Sequence, residues 1–517
     1  MKVPTLLFAA ALTASSSAQV QVVLASQDHG AASPKAVTPG VPGTLNSNFG
    51  RIYRSPTTNM WNVVISTNNT NTAQDQVLVQ GSGMTGTFVA QEGVTTSAPG
   101  ETFNFSTGIP EPRFNDFGQW ATFSRLLPTS TLQDRVLRGS TSGVTVFARS
   151  EDDPADPPFI DQWGFGTTNT PTFSSVEVAQ DGSVGFLASN ILPNDLGSLE
   201  VLVRLTQAGV ATVVARIGDA ATSPSGQAGT PATWADIDTG TVRWKGSGTG
   251  YICVGELSTT ADKDRVAVVS GGVVAQEGSV LPGTSFISPV STVTNPWMEP
   301  DGTWFLQGTN ADGTGWIIRN GSVIAQTSQP IFPGSTELWG SFIDFKGNNS
   351  GQYVVMGATN NANGLLNSVV VANGSTIIVR ESDPVDLDDN PNTPPDLFIG
   401  QFQDRCALLD DGYFYFAPRL KLSATATSNT PGNRASLLRA PMPSVGPVCD
   451  SIDFNNDSLY PDTADIDDFL SVFSGGPCST APTPGCSDID FNNDSLFPDT
   501  LDIDALLSVF SGGGCLG

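Results

Sequence analysis

The stretch Val266-Ala267-Val268-Val269-Ser270-Gly271-Gly272-Val273-Val274-Ala275-Gln276-Glu277-Gly278 sets the reading of most of the chain. Two Val-rich runs flank a Ser-Gly-Gly turn, the second run ends on a small residue, and an acidic loop follows, as in a β-hairpin. The same pattern stands at Val77-Leu78-Val79-Gln80 with Phe88-Val89-Ala90-Gln91-Glu92-Gly93. Weaker copies end at Phe147-Ala148-Arg149, Val213-Val214-Ala215-Arg216, Val323-Ile324-Ala325-Gln326 and Ile377-Ile378-Val379-Arg380. Taking the small residue as a marker, positions 90, 148, 215, 275, 325 and 379 are 58, 67, 60, 50 and 54 residues apart. That spacing suits propeller blades of about four strands with long loops.

Between the hairpins a polar turn feeds an aromatic-rich run. Asn115-Asp116-Phe117-Gly118 precedes Trp120-Ala121-Thr122-Phe123, Gln180-Asp181-Gly182 precedes Val184-Gly185-Phe186, Pro300-Asp301-Gly302 precedes Trp304-Phe305-Leu306, and Asp410-Asp411-Gly412 precedes Tyr413-Phe414-Tyr415-Phe416. Val22-Val23-Leu24-Ala25-Ser26 has the form of a second half-hairpin and Ser436-Leu437-Leu438-Arg439 that of a first half. Pairing them closes a circle and removes two strand edges that would otherwise invite aggregation. The fold class expected is therefore all-β, a seven-bladed β-propeller closed by its terminal strands, with six or eight blades and two serial β-sandwiches as alternatives. With 54 Gly, 36 Pro and 14% charged residues, the composition agrees with strands and turns.

The tail differs. Cys449 matches Cys486 and Asp453 matches Asp490 at an offset of 37 residues. Both copies read Asp-Phe-Asn-Asn-Asp-Ser-Leu, then Pro-Asp-Thr, Asp-Ile-Asp and Leu-Ser-Val-Phe-Ser-Gly-Gly. Calcium takes six to eight oxygen ligands, and alternate residues of a tight loop converge their oxygens on one point. Asp453, Asn455, Asp457, the Leu459 carbonyl, Asp462 and Asp465 supply one such set; Asp490, Asn492, Asp494, the Leu496 carbonyl, Asp499 and Asp502 supply the second. Ile466, Phe469, Leu470 and Phe473, and again Ile503, Leu506, Leu507 and Phe510, carry helical apolar spacing, and glycine pairs end both segments.

On these residues the tail resembles the dockerin family, whose duplicated units carry Asp-x-Asn-x-Asp, a closing Asp and a following helix. Ser458 and Ser495 stand where that family has Gly, and one residue is inserted before Asp462 and Asp499. The resemblance implies two bound Ca2+ ions and an EF-hand-like helical module that docks on a cohesin-like partner or an envelope component. Cys449 to Cys478 and Cys486 to Cys515, each 29 apart, look like the brackets of a cysteine-flanked variant, expected as disulfides. Cys253 and Cys406 have no role assigned. The body resembles the tandem strand-turn-strand repeats of exported bacterial proteins.

The chain reads as a signal peptide over 1–18, a propeller-like body over 19–440, a proline-bearing linker over 441–448 and the calcium module over 449–517. The apolar run Val3 to Leu12 and the small residues before Ala18 fit export to the cell surface or medium, and no later stretch approaches the ~20 apolar residues of a membrane span. A net charge of −27 argues against nucleic acid. The single histidine, His29, leaves little for a histidine-based triad or zinc site. For the body, a binding platform for a carbohydrate or protein ligand is the first reading. A carbohydrate-active hydrolase or lyase is the alternative, with carboxylates drawn from Glu92, Glu151, Asp152, Asp153, Glu277, Glu381 and Asp383. Trp163, Trp234, Trp297 and Trp339 are its candidate sugar-stacking rings, and Asp383 to Asn390 a weaker calcium segment.

Overall fold

A computed structural model describes residues 20–25, 38–94, 96–97, 100–105, 112–125, 134–149, 173–191, 199–220, 232–387, 395–427, 436–443, 450–457, 459, 462–480, 485–487, 489–491 and 500–510. The chain divides into two compact units, Met1–Met442 and Pro443–Gly517.

Among the described residues the first unit holds seven four-stranded antiparallel sheets, one with an extra two-residue strand, and a small three-stranded sheet. Six of the seven are built in sequence order. The first runs through Leu45–Arg54, Met60–Thr67, Gln76–Ser82 and Thr85–Gln91. The next five begin at Arg113–Phe114, Phe173–Val178, Trp234–Ile237, Val290–Met298 and Trp339–Gly347. The seventh sheet takes three strands, Cys406–Leu408, Tyr413–Phe416 and Ser436–Pro441, and completes itself with Gln21–Ala25 from the other end of the unit. That closing pair is antiparallel, with Val22 opposite Leu438 and Ala25 opposite Ser436, which is the pairing the half-hairpins demand.

Each hairpin found in the sequence is the third and fourth strand of a sheet, and each aromatic-rich run is the second. The small marker residue has a geometric cause. In every one of the seven sheets the outer pair slips by one residue just before it: Leu78 faces Ala90 but Val79 faces Phe88, and Ala267 faces Ala275 but Val268 faces Val273. A bulge of this kind increases the twist of an edge strand and blunts it against pairing with another chain.

Neighbouring sheets share hydrophobic cores all the way round. Ala121, Val136 and Phe123 pack with Phe173 and Phe186 of the next sheet, and the seventh sheet's Tyr415 and Leu437 pack with Phe49, Trp61 and Val63 of the first. Several contacts use a strand glycine as a socket. At Gly308 a Cβ would stand 2.3 Å from the Trp316 ring, so the indole fills the space a side chain would take. The arrangement is consistent with a β-propeller.

The second unit contains two short helices, α1 (Thr463–Phe473) and α2 (Thr500–Phe510), at the same 37-residue offset as the duplication. Phe454, Phe469, Phe491, Ala505 and Leu506 form its core, equivalent phenylalanines from both copies meeting there.

Candidate functional site

The first loop of the tail is folded back on itself by its own oxygens. The Asp457 amide donates to both Asp453 Oδ1 (3.0 Å) and Asn455 Oδ1 (3.1 Å), so the alternating side chains turn inward together. Asn456, at φ 57, supplies the left-handed turn between them, a conformation Asn adopts more readily than most residues. Asp465, from the first turn of α1, reaches back under the loop, where its carboxylate accepts from the amides of Asn455 (3.5 Å) and Asp462 (3.1 Å). Asn455 and Asp465 are both buried.

Asp462 serves as the N-cap of α1. Its Oδ1 accepts from the amides of Ala464 and Asp465, and Asp465 reciprocates in a capping box. The Leu459 side chain is exposed and its amide donates to Asp457 Oδ1 at 2.8 Å. In the second copy Asp490 and buried Asp502 are described; Asn492, Asp494, Leu496 and Asp499 lie outside the described residues.

The two copies are joined by backbone hydrogen bonds. The Asp450 amide donates to the Phe491 carbonyl and the Ser487 amide to that of Phe454, both at 2.8 Å. This pairing overturns the expected cysteine brackets. Cys478 bonds to Cys486, with Cα atoms 5.8 Å apart, because the end of one copy and the start of the next are drawn together across a short connection. Cys449 and Cys515 lie outside the described residues. Cys253 and Cys406 are free and buried, and burial pushes both thiols up.

In the body the acidic loops are tied to their own sheets. Glu92 is buried and accepts from the amides of Asp75 and Gln76. Glu381 pairs with Lys421 at 3.1 Å, and Asp383 accepts from the Arg380 amide. Glu92, Glu277 and Glu381 follow the fourth strands of three different sheets. Trp234 and Trp339 are buried in inter-sheet cores and do not present faces to solvent. Glu151, Asp152, Asp153, Trp163, His29, residues 1–18 and Asp388 to Asn390 lie outside the described residues.

Sequence reasoning missed the place where the first strands of the sheets meet. Arg54 donates to Glu299 (3.2 Å) and Asn349 (3.1 Å), reaching from the first sheet to the fifth and sixth. Arg113 pairs with Glu177 at 2.7 Å, and Arg51 with Asp404. The rings of Tyr53 and Trp297 lie nearly parallel, 6.2 Å apart. Most of the charge here comes from strands too short or too irregular to show an alternating pattern. The only signal was the polar turn that follows each of them.

No protein-family profile and no curated protein matches the chain in sequence. Solved structures resemble it distantly. An oligogalacturonate lyase in complex with manganese is 13% identical over 77% of this chain and 90% of its own, with a TM-score of 0.37. A puromycin-hydrolyzing peptidase of Mycobacterium tuberculosis is 12% identical over 80% and 59%, TM-score 0.37. The β-propeller domain of the Trilobed protease from Pyrococcus furiosus is 8% identical over 72% and 95%, TM-score 0.35. At these scores the propeller reading rests on the sheet topology itself.

Proposed function

We propose that this is an exported modular protein whose dockerin-like tail binds two calcium ions and attaches the chain to a cohesin-like partner or an envelope component. A closed seven-bladed propeller then serves as its binding platform. The observation that carries the reading is the Asp465 carboxylate folded back beneath Asn455. It draws the closing carboxylate of the spacing back to the loop that carries Asp453, Asn455 and Asp457, and this supports a shared site for a hard cation. The tail from 449 to 517 has thirteen Asp and no Lys or Arg, so a cation relieves repulsion that no side chain of the module offsets. Metal binding and folding are then coupled.

Calcium titration calorimetry on the full chain, followed in parallel by far-ultraviolet circular dichroism, tests this. Two saturable sites and a gain of helix are expected. Asp465→Asn should weaken one of the two sites ~10–100-fold, since ligand charge tunes calcium affinity. A chain that takes up no calcium would overturn the reading.

A further inference from the structure

The ladder register picks out one equivalent residue opposite the second strand of each sheet, in the fourth sheet on the extra strand Arg243–Trp244. Tyr53 lies opposite Asn62, Arg113 opposite Ala121, Glu177 opposite Gly185 and Arg243 opposite Ile252. Trp297 lies opposite Phe305, Lys346 opposite Val354 and Ala407 opposite Tyr415. Six of these seven form one connected group. The Arg113 guanidinium carbon is 4.6 Å from the Tyr53 ring centroid and 4.7 Å from that of Trp297. The Lys346 ammonium is 3.8 Å and the Arg243 guanidinium 5.6 Å from the same Trp297 ring. A chain of net charge −27 thus gathers three cations and one carboxylate into a single layer. The layer is under electrostatic load: burial, then the neighbouring Arg113, lowers Arg243 to about 10.

Beside this layer, toward the turns, is a pocket lined by Tyr53, Arg113, Trp244, Lys245 and Trp297, with Glu177 and Glu299 in its wall. Its cavity volume is about 40 Å³. That is room for a few waters or one small polyatomic group. Both carboxylates are already engaged. Glu299 accepts from Arg54, from Trp297 Nε1 (2.7 Å) and from the Gly347 amide (2.8 Å), and Glu177 takes Arg113 and the Trp244 amide.

The donors are not used up. Arg113 Nη2 and Trp244 Nε1 are buried without an acceptor. Lys245 makes no ion pair among the described residues. Its chain is laid across the turn of the next sheet, where a Cβ on Gly302 would stand 3.2 Å from its Nζ. Buried donors without acceptors cost about 1–3 kcal/mol each, more when charged, and an anion in the pocket removes that cost.

We propose that this axial pocket binds a carboxylate group, held by Arg113 Nη2, the Trp244 indole N–H and Lys245. With one arm of the Arg113 guanidinium already on Glu177, Nη2 is left to make a single charge-assisted bond to a carboxylate oxygen, and the volume excludes a sugar ring or a polyphosphate. The group comes either from a small free acid or from the end of a larger ligand entering past Lys245. The inference rests on the platform half of the proposed function and is independent of the calcium half.

The test is titration of the full-length protein with acetate by calorimetry at constant ionic strength, with and without calcium. Acetate should saturate one site whether or not calcium is present, so failure of the tail reading leaves this result untouched. Lys245→Gln, outside any ion pair, should weaken binding about tenfold, and Arg113→Gln should abolish it. Intact β-sheet circular dichroism would show each variant folded. A butyrate-sized acid binding as well as acetate would point to the end of a larger ligand, and preference for acetate to a free acid. No saturable acetate site, or one indifferent to both substitutions, would overturn the proposal. So would inorganic phosphate displacing acetate at lower concentration.

Discussion

The sheets of the first unit bury Trp61, Trp120 and Trp316 completely, with side chains of neighbouring sheets packed around them. The tail buries a core of five residues around Phe469. The two regions also treat acidity differently. In the body Glu299, Glu177, Glu337 and Glu381 each face an Arg or Lys. The tail has no basic residue to offer its thirteen Asp. One region carries its counter-charges within the chain, and the other must take them from solution. Stability of the tail is therefore a function of medium in a way that stability of the body is not.

Core truncation should give the largest separation between them. Phe469→Ala and Trp316→Ala each remove an aromatic side chain at full burial, a loss of about 3–5 kcal/mol. In the tail that equals what so small a core supplies, so Phe469→Ala should erase the helical signal even in excess calcium. In the body Trp316→Ala should lower the melting temperature and leave the sheets formed. Thermal scans monitored at helix-sensitive and strand-sensitive wavelengths read both. A Trp316→Ala body that unfolds outright at room temperature would break the contrast.

Reduction should act more gently and on one side only. Opening the Cys478–Cys486 bridge, which spans eight residues of sequence, releases about 2–3 kcal/mol of chain entropy. Only the tail's transition should fall in dithiothreitol, since Cys253 and Cys406 are unpaired thiols. A matching fall in the body's transition would mean that the bridge supports more than its own module.

The smallest effect is expected from pH. Burial, then Asp75, pushes Glu92 up to about 7, and burial together with Asp236 pushes Glu200 up to about 7. A carboxyl whose folded value is raised holds its proton more tightly in the native state. Its burial is therefore tolerated below the ordinary carboxyl value near 4.3 and opposes folding increasingly as pH climbs from there toward 7. The body's melting temperature should drift downward over that window, and Glu92→Gln with Glu200→Gln should flatten the drift. If the tail binds calcium as proposed, it should move the other way, since metal-ligating carboxylates must be deprotonated.

What the sequence disclosed follows from where regularity lay. The outer strands, such as Val266 to Gln276, have room for alternating Val and a glycine turn, so their pattern is complete in the chain. The first strand Arg113–Phe114 and the extra strand Arg243–Trp244 are two residues long, and charge there is set by neighbours across the axis, so only register reveals that Arg113, Arg243 and Lys346 are equivalent. In the tail the two short helices were legible because the apolar spacing of Ile466, Phe469 and Phe473, and of Ile503, Leu506 and Phe510, is local. The disulfide was not: a near-perfect duplication places cysteines identically whether they pair within a copy or between copies. The backbone bonds of Asp450 to Phe491 and of Ser487 to Phe454, which join the two copies, accompany the pairing between them. Asp462 was read as a ligand, and its Oδ1 is occupied in capping α1.

The pairing of Gln21–Ala25 with Ser436–Pro441 also has a consequence in time. Arg439 bonds to Gln21 across 418 positions of chain, so the last sheet cannot form until nearly the whole first unit has been synthesised. Contacts of such separation make for slow folding. Until then, the Gln21–Ala25 strand waits without the sheet it completes. The chain therefore passes through an interval in which a foreign strand could pair with its own beginning, and the speed with which residues 436–441 arrive decides the yield.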